Sequence, residues 1–226
     1  MTKSKMPTIK IDINKITQEQ IDLIVVYLKR GQVIAYPTDT IYGLGCDTRD
    51  QLAVKKIKKI KGRDAQKREG EKAMLALVSD FEMLKQYCLV SEEQEGYLRA
   101  IWPGCASFNH ITSPTPLYKG VAQKPVTVIL ESKRNLPAEL TGGLNSLAVR
   151  LPKSEFLIKI IKQAGFPIVS TSLNKTGEPS LDNVQNLGKY FKHLPDLAVD
   201  AGTIAGEKPS RLVDIRDMGN VKVIRE

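Results

Sequence analysis

Residues 34–47 read IAYPTDTIYGLGCD, and the rest of the chain is best understood from this stretch. The apolar run before Pro37 predicts a buried strand, which ends there because a proline nitrogen cannot donate to a sheet ladder. The Thr-Asp-Thr of residues 38–40 places short hydroxyl and carboxylate groups at the strand end. Gly43 and Gly45 indicate a loop whose backbone another group approaches closely. Because each of these residue types is a common turn former, the stretch also fits an ordinary strand-to-turn connection.

The composition is that of a globular domain. The 226 residues are 42% apolar and 26% charged, and they contain no long low-complexity tract. We therefore predict a single domain over residues 1–226. No apolar stretch approaches the roughly 20 residues that span a bilayer, and residues 1–12 lack the apolar core of a secretory signal. We expect a cytoplasmic protein without a membrane partner.

Charge and motif content narrow the possible functions. The net charge of +9, from 34 basic and 25 acidic residues, favours anionic partners such as nucleotides, RNA or acidic lipid, without selecting among them. Three cysteines without a CxxC pair and only two histidines argue against a disulfide framework or a structural zinc site. The chain also lacks the GxxxxGK[ST], GxSxG and HExxH motifs, so those catalytic plans are absent.

Strand and helix patterns alternate along the chain. Capping boxes at residues 17–20 and 91–94 predict two helix starts, and Thr48 is predicted to cap a third helix. Runs rich in apolar and β-branched residues predict strands at 73–78, 126–130, 147–151 and 167–169. The alternation predicts an α/β fold with three layers, a twisted mixed sheet with helices on both faces. In such folds polar strand ends gather at one edge and form the site.

Two polar regions are candidates for that site. Residues 49–72 hold ten basic and four acidic residues, and the predicted helix there ends in Lys61, Gly62 and Arg63. Cations at a helix end either offset the helix dipole or bind a polyanion, and both interpretations stay open. The second region is STSLNKTG at residues 170–177, which follows a strand. Hydroxyls, cations and an amide suit the positioning of phosphate or carboxylate better than covalent catalysis.

Taken together and in order, these motifs resemble the YrdC-like threonylcarbamoyl-AMP synthases in their short, single-domain form. The matching segments are PTDTIYGLGCD (37–47), the KxR pair Lys61 and Arg63, LVSD (77–80), PVTVIL (125–130), AVRLP (148–152), STSLNKTG (170–177) and KPSRLVD (208–214). The resemblance implies a nucleotidyltransferase that joins L-threonine, bicarbonate and ATP into threonylcarbamoyl-AMP and releases pyrophosphate. Threonylcarbamoyl-transferase partner proteins would then modify tRNA, and tRNA is itself a candidate partner of the chain. The family fold is a mostly parallel twisted sheet.

The resemblance also implies roles for individual residues. Lys61 and Arg63 are the expected catalytic cations, which face a polyanion and stabilise charge at the α-phosphate, with Mg²⁺ carried by ATP and no metal site on the protein. The threonine pocket is expected to hold Thr38, Thr40, Tyr42 and Thr127. The ATP and phosphate site is expected to hold Lys61, Arg63, Arg150, Ser172, Asn174 and Ser210. For Arg150 a surface ion pair is the alternative.

Several segments depart from the family pattern. The segment after Arg63 is longer and lacks proline, Leu173 replaces the alanine of STSAN, and PSR replaces PST. Residues 105–124 split the Pro-Gly-Pro-x-Thr motif, and we predict that they form a surface insertion that serves as a mobile lid. The alternative function is a non-catalytic RNA binder of the same fold that uses the basic residues 55–72. The KxR and SxN pairs together favour the enzyme.

Overall fold

The computed structural model describes residues 6–62, 73–102, 125–204 and 209–226, and within them eleven strands and seven α-helices follow one another. The strands are β1 (Thr8–Lys10), β2 (Ile34–Tyr36), β3 (Gly43–Gly45), β4 (Leu75–Leu77), β5 (Cys88–Leu89), β6 (Val126–Ser132), β7 (Ser146–Arg150), β8 (Ile168–Ser172), β9 (Leu197–Asp200), β10 (Arg211–Asp214) and β11 (Lys222–Arg225). The helices are α1 (Gln18–Lys29), α2 (Gln51–Ile60), α3 (Phe81–Tyr87), α4 (Glu92–Ile101), α5 (Ala138–Thr141), α6 (Glu155–Ala164) and α7 (Leu187–Tyr190).

The strands join into a single sheet in the order β1-β9-β2-β3-β8-β4-β7-β6-β10-β11, and β5 pairs with β6 beside this path. Among the described strands four pairings are parallel, namely β1 with β9, β2 with β9, β4 with β7 and β6 with β10. The other six are antiparallel. The mixed sheet predicted from the sequence is confirmed, whereas the mostly parallel sheet expected from the resemblance is wrong. Short connections such as the turn after β2 join neighbouring strands directly, which requires antiparallel pairing.

Both faces of the sheet are covered. The three residues of β2 are all buried although successive side chains point to opposite faces, so layers must lie on both sides. On these layers α1 packs against α6, and α2 packs against α5. The predicted three-layer α/β architecture is therefore confirmed.

Helix starts follow local capping chemistry. Both predicted capping boxes are present, at the starts of α1 and α4. The predicted Thr48 cap is wrong, because Asp50 caps α2 by accepting hydrogen bonds from the backbone nitrogens of Leu52 and Ala53 in the first turn. Thr48 is instead buried, and its hydroxyl donates to the Pro167 carbonyl at 3.0 Å.

The Gly43–Gly45 segment corrects another prediction, since it forms the central strand β3 rather than a loop. β3 pairs antiparallel with β2 and with β8. A Cβ on Gly45 would lie 2.5 Å from Tyr36 Cε1 and 2.7 Å from the Val169 carbonyl oxygen. The close approach that glycine permits is thus made by core atoms of the two neighbouring strands.

We expect Gly45→Ala to lower the free energy of unfolding by about 1–3 kcal/mol, because the added methyl overpacks the centre of the sheet. The matched control is Gly96→Ala in α4, where a Cβ would meet no atom of the described residues within 4 Å. This control should raise the free energy of unfolding by about 0.5–1 kcal/mol, since alanine is the better helix former. Urea denaturation measures both changes, and equal stability of the two variants would contradict the packing argument.

Two sequence predictions fall on other parts of the chain. The proposed insertion and lid at residues 105–124 and the KxR arginine, Arg63, lie outside the described residues.

Among the described helices, none has the length and apolar character needed to cross a bilayer.

Candidate active site

A pocket of about 260 Å³ lies on one face of the sheet. Ala148 and Arg150, alternate residues of β7, line it together with the last three residues of β8, Ser170, Thr171 and Ser172. The turn after β2 forms another wall. Seven of the ten predicted site residues line this pocket, namely Thr38, Thr40, Tyr42, Thr127, Arg150, Ser172 and Ser210. The fold therefore brings together residues that lie far apart in the sequence.

The PTDT turn is held by its own first threonine. Thr38 Oγ1 donates to the Ile41 carbonyl at 2.6 Å and accepts from the backbone nitrogens of Thr40 and Ile41, both at 3.1 Å. It also lies 2.9 Å from Thr40 Oγ1. Thr38 thus shapes the turn, and Thr40 presents its hydroxyl to the pocket.

The hydroxyl of Tyr42 makes two hydrogen bonds, one as donor and one as acceptor. It donates to the Gly202 carbonyl at 2.8 Å and accepts from the Ala201 nitrogen at 2.9 Å. Burial raises the pKa of this phenol, so it keeps the proton that it donates. Because both contacts use the hydroxyl, Tyr42 offers the pocket its ring.

Arg150 carries positive charge into the pocket and is only 2% exposed. Its Nη2 donates to Asp39 Oδ1 at 2.8 Å, and its Nη1 lies 3.4 Å from Thr40 Oγ1. Asp39 Oδ2 also accepts from the Lys153 nitrogen at 2.9 Å, so this carboxylate joins the turn to the end of β7. Arg150 therefore forms an ion pair, as the alternative interpretation expected, but that interpretation was wrong to place the pair at the surface, because Arg150 is buried. Arg150 Nε is buried and has no hydrogen-bond partner among the described residues.

Lys61 follows α2 directly and is also only 2% exposed. Its ammonium donates to the Ser172 carbonyl at 2.5 Å, the Asn174 carbonyl at 3.1 Å and Asn174 Oδ1 at 2.6 Å. Ser172 Oγ donates to the same Asn174 Oδ1 at 2.7 Å. The KxR lysine and the SxN pair therefore form one network beside the pocket. The expectation that Lys61 faces a polyanion rather than the protein interior needs correction, because its side chain is buried among protein oxygens.

Arg225 is a pocket residue that the sequence analysis missed. Its Nε and Nη2 donate to the Ser210 carbonyl at 3.1 and 2.7 Å, while Ser210 Oγ lies 2.7 Å from Thr127 Oγ1. Burial, together with the charge of Arg150, lowers the pKa of the Arg225 guanidinium. The signal that could have indicated Arg225 is the register between the last two strands, β10 and β11, which places Arg225 opposite Leu212. The pocket lining thus carries two guanidinium groups, of which that of Arg150 is paired with Asp39.

Comparison with known proteins now identifies the family. The Sua5/YciO/YrdC family model, described as "Telomere recombination", matches residues 26–110 and 105–226. The chain belongs to this family. Threonylcarbamoyl-AMP synthase of Thiobacillus denitrificans is 32% identical over 190 residues, which cover 84% of this chain and 87% of that synthase.

Two comparisons involve longer members of the Sua5/YciO/YrdC family. Threonylcarbamoyl-AMP synthase of Pyrococcus abyssi is 28% identical over 212 residues, or 93% of this chain and 55% of that synthase. The crystal structure of Pyrococcus abyssi Sua5 complexed with L-threonine superposes with a TM-score of 0.72 at 26% identity. That match covers 93% of this chain and 54% of the other. The chain therefore spans about half the length of these archaeal relatives.

Two departures from the family motifs lie away from the pocket lining. Leu173, which stands where STSAN has alanine, is fully buried, and its nitrogen donates to the Tyr42 carbonyl at 2.9 Å. Arg211, in the PSR triplet, pairs with Glu226 at 3.0 Å. The Leu173 side chain therefore belongs to the core, and the Arg211 side chain makes an ion pair.

Proposed function

We propose that this chain is an L-threonylcarbamoyladenylate synthase, a nucleotidyltransferase that forms threonylcarbamoyl-AMP and pyrophosphate from L-threonine, bicarbonate and ATP. The observation that carries the proposal is that Arg150, Arg225 and Ser172 line one pocket, while Lys61 and Asn174 are linked to Ser172 beside it. Similarity to proteins named threonylcarbamoyl-AMP synthase supports it.

The reaction requires anions to be held close together. The threonine nitrogen attacks the carbon of carbon dioxide and loses a proton, or attacks the carbon of bicarbonate with loss of water, and in either case forms a carbamate. A carbamate oxygen then bonds to the α-phosphorus, while the bond to pyrophosphate breaks and pyrophosphate leaves with its electron pair. Negative charge grows on the phosphate oxygens, and fixed cations lower the energy of that state. The guanidinium groups of Arg150 and Arg225 line the pocket and are placed to bind carboxylate or phosphate oxygens.

The volume of the pocket indicates which substrate lies inside it and which lies at its rim. At about 260 Å³ it lies near the lower end of ligand pockets, which hold roughly 300–1,000 Å³, and it suits an amino acid better than a whole nucleotide. In our proposal threonine occupies the pocket among the hydroxyls of Thr40 and Thr127. The phosphates of ATP then lie at the rim beside Ser172, where Lys61 and Asn174 meet.

Magnesium is proposed to arrive with ATP as part of the substrate. None of the described residues that line the pocket is an aspartate or a glutamate, so the lining has no carboxylate ligand for the ion. Mg²⁺ commonly binds through substrate phosphates and water with few protein ligands. The oxygens of Ser172 and Asn174 are the nearest neutral donors at the rim.

The RNA-binding alternative uses the basic residues 55–72, of which the structure describes residues 55–62. In that described part, Lys55 pairs with Glu139 at 3.2 Å, and Lys56 pairs with Asp196 at 2.5 Å. Lys58 is buried. Cations paired within the protein release fewer counterions on binding RNA, so these three lysines of α2 contribute little to an electrostatic footprint. Delivery of the product to transferase partners and to tRNA remains part of the proposal.

Omitting one substrate at a time tests the function. Pyrophosphate release should require ATP, L-threonine and bicarbonate together, because the nucleophile at the α-phosphorus is the carbamate made from the last two. Withholding either threonine or bicarbonate should reduce release to the level without enzyme. Release that is indifferent to threonine would overturn the synthase proposal, and salt-sensitive tRNA binding without any release would favour the RNA binder.

A further inference from the structure

The turn that carries Asn174 is held by Glu178 and Tyr190, which are not among the residues that line the pocket. Asn174 Nδ2 donates to the Glu178 carbonyl at 2.5 Å. Tyr190 of α7 donates from its hydroxyl to Glu178 Oε2 at 2.6 Å and accepts from the Lys175 nitrogen at 3.4 Å. The Lys175 ammonium lies 4.7 Å from the centre of the Tyr190 ring. One phenol thus contacts both ends of the 174–178 turn.

We propose that Tyr190 and Glu178 are positioning residues that orient the Asn174 amide for the phosphate-bearing substrate. This inference rests on the synthase function proposed above. It concerns residues outside the KxR and SxN motifs.

The orientation matters because the two ends of the amide meet different partners. Asn174 Oδ1 accepts from Lys61 Nζ and from Ser172 Oγ, and both partners are donors at that point. A flipped amide would turn its NH₂ group toward the ammonium, which has no acceptor. The contact between Nδ2 and the Glu178 carbonyl keeps the oxygen inward. We call the contacts among Tyr190, Glu178 and the Asn174 amide the clamp. By holding the Asn174 oxygen inward, the clamp sets the position of the Lys61 charge at the pocket rim.

The clamp is anchored in the protein core through α7, the helix that carries Tyr190. Leu187, at the start of α7, and Phe191, which follows it, are both buried. The Phe191 ring meets the Tyr190 ring edge to face, with centroids 4.6 Å apart. Burial, followed by the hydrogen bond to Glu178, raises the pKa of the Tyr190 phenol, so it stays a donor. The side chain of Tyr190 is consequently fixed before substrate binds.

These same contacts contribute little to folding, because Glu178 and Lys175 are about half exposed. Stability and positioning can therefore be separated. Tyr190→Phe removes only the hydroxyl and keeps the ring contacts. We expect the KM for ATP to rise about fivefold to tenfold, with the KM for threonine within twofold of wild type and Tm within about 2 °C. Glu178→Ala should behave in the same way, and the double variant should be no worse than either single variant.

A control and a second measurement make the test decisive. Tyr27→Phe removes the hydroxyl of a half-buried tyrosine on α1, away from the pocket lining, and should leave both KM values unchanged. In ¹⁵N NMR spectra the Asn174 side-chain amide, assigned through its loss in Asn174→Ala, should shift and broaden in Tyr190→Phe but not in Tyr27→Phe.

The outcomes separate the two proposals. A wild-type chain without threonine-dependent release contradicts the synthase function, and the amide signal then decides whether the clamp exists. An active wild type with unchanged ATP KM in Tyr190→Phe overturns the positioning role. A fall in activity matched by a large fall in Tm also overturns it, because that pattern shows a purely structural contact.

Discussion

Lys61→Met is expected to reduce threonine-dependent pyrophosphate release by about 100-fold or more. Methionine retains most of the side-chain volume and removes the ammonium that links Ser172 and Asn174. A charge-assisted hydrogen bond, such as that from the Lys61 ammonium to Asn174 Oδ1, contributes about 1.5–3 kcal/mol, or roughly tenfold to a hundredfold in rate when it holds a group that binds the substrate. The substitution also removes a positive charge beside the pocket, so two effects add in the same direction.

The burial of Lys61 adds a cost in stability. Its removal leaves the inward oxygens of Ser172 and Asn174 without this donor, which should lower the free energy of unfolding by about 1–3 kcal/mol. The matched control is Lys59→Met, a lysine of the same helix whose side chain is exposed. It should keep wild-type activity and stability. Near wild-type release in Lys61→Met, or an equal loss in the control, would remove Lys61 from the reaction.

The second large effect is expected on stability. Asp39→Asn should lower the free energy of unfolding by about 3 kcal/mol, because it leaves the guanidinium of Arg150 buried without a counter-charge. The control is Asp214→Asn, which removes a carboxylate that likewise binds a guanidinium and a backbone nitrogen, both from Arg216. That arginine is exposed, so the expected loss is below about 1 kcal/mol. Urea denaturation at one protein concentration measures both.

A double variant separates charge burial from simple loss of packing. Asp39→Asn combined with Arg150→Met removes both charges and should recover most of the lost stability. Its pyrophosphate release should stay low, since Arg150 lines the pocket. If Asp39→Asn is as stable as wild type, the ion pair does not organise the turn after β2.

Local patterns in the sequence were sufficient to predict many elements. The capping boxes at residues 17–20 and 91–94 begin α1 and α4, and Gly165 ends α6 in the left-handed conformation. These features depend on hydrogen bonds and dihedral angles within a few residues, so they are readable without tertiary information. The Thr48 prediction failed because Asp50, two residues later, provides the cap of α2 while the Thr48 hydroxyl contacts a distant strand.

The site was predictable to the extent that motifs mark strand ends. The turn after β2 and the end of β8 were both recognised, and both line the pocket. The contacts at the pocket were harder to predict from the sequence, because they depend on pairs such as Arg150 with Asp39 and Lys61 with Asn174. These partners are separated by 111 and 113 residues.

By itself, then, the sequence determined the periods, caps and polar strand ends from which an α/β fold and a phosphate-binding chemistry follow. The tertiary structure decided that two glycines form β3, that Lys61 is buried against the SxN pair, and that Arg225 enters the pocket. The physical reason is that strand order and register are set by packing across the whole sheet. No local pattern encodes which distant strands become neighbours.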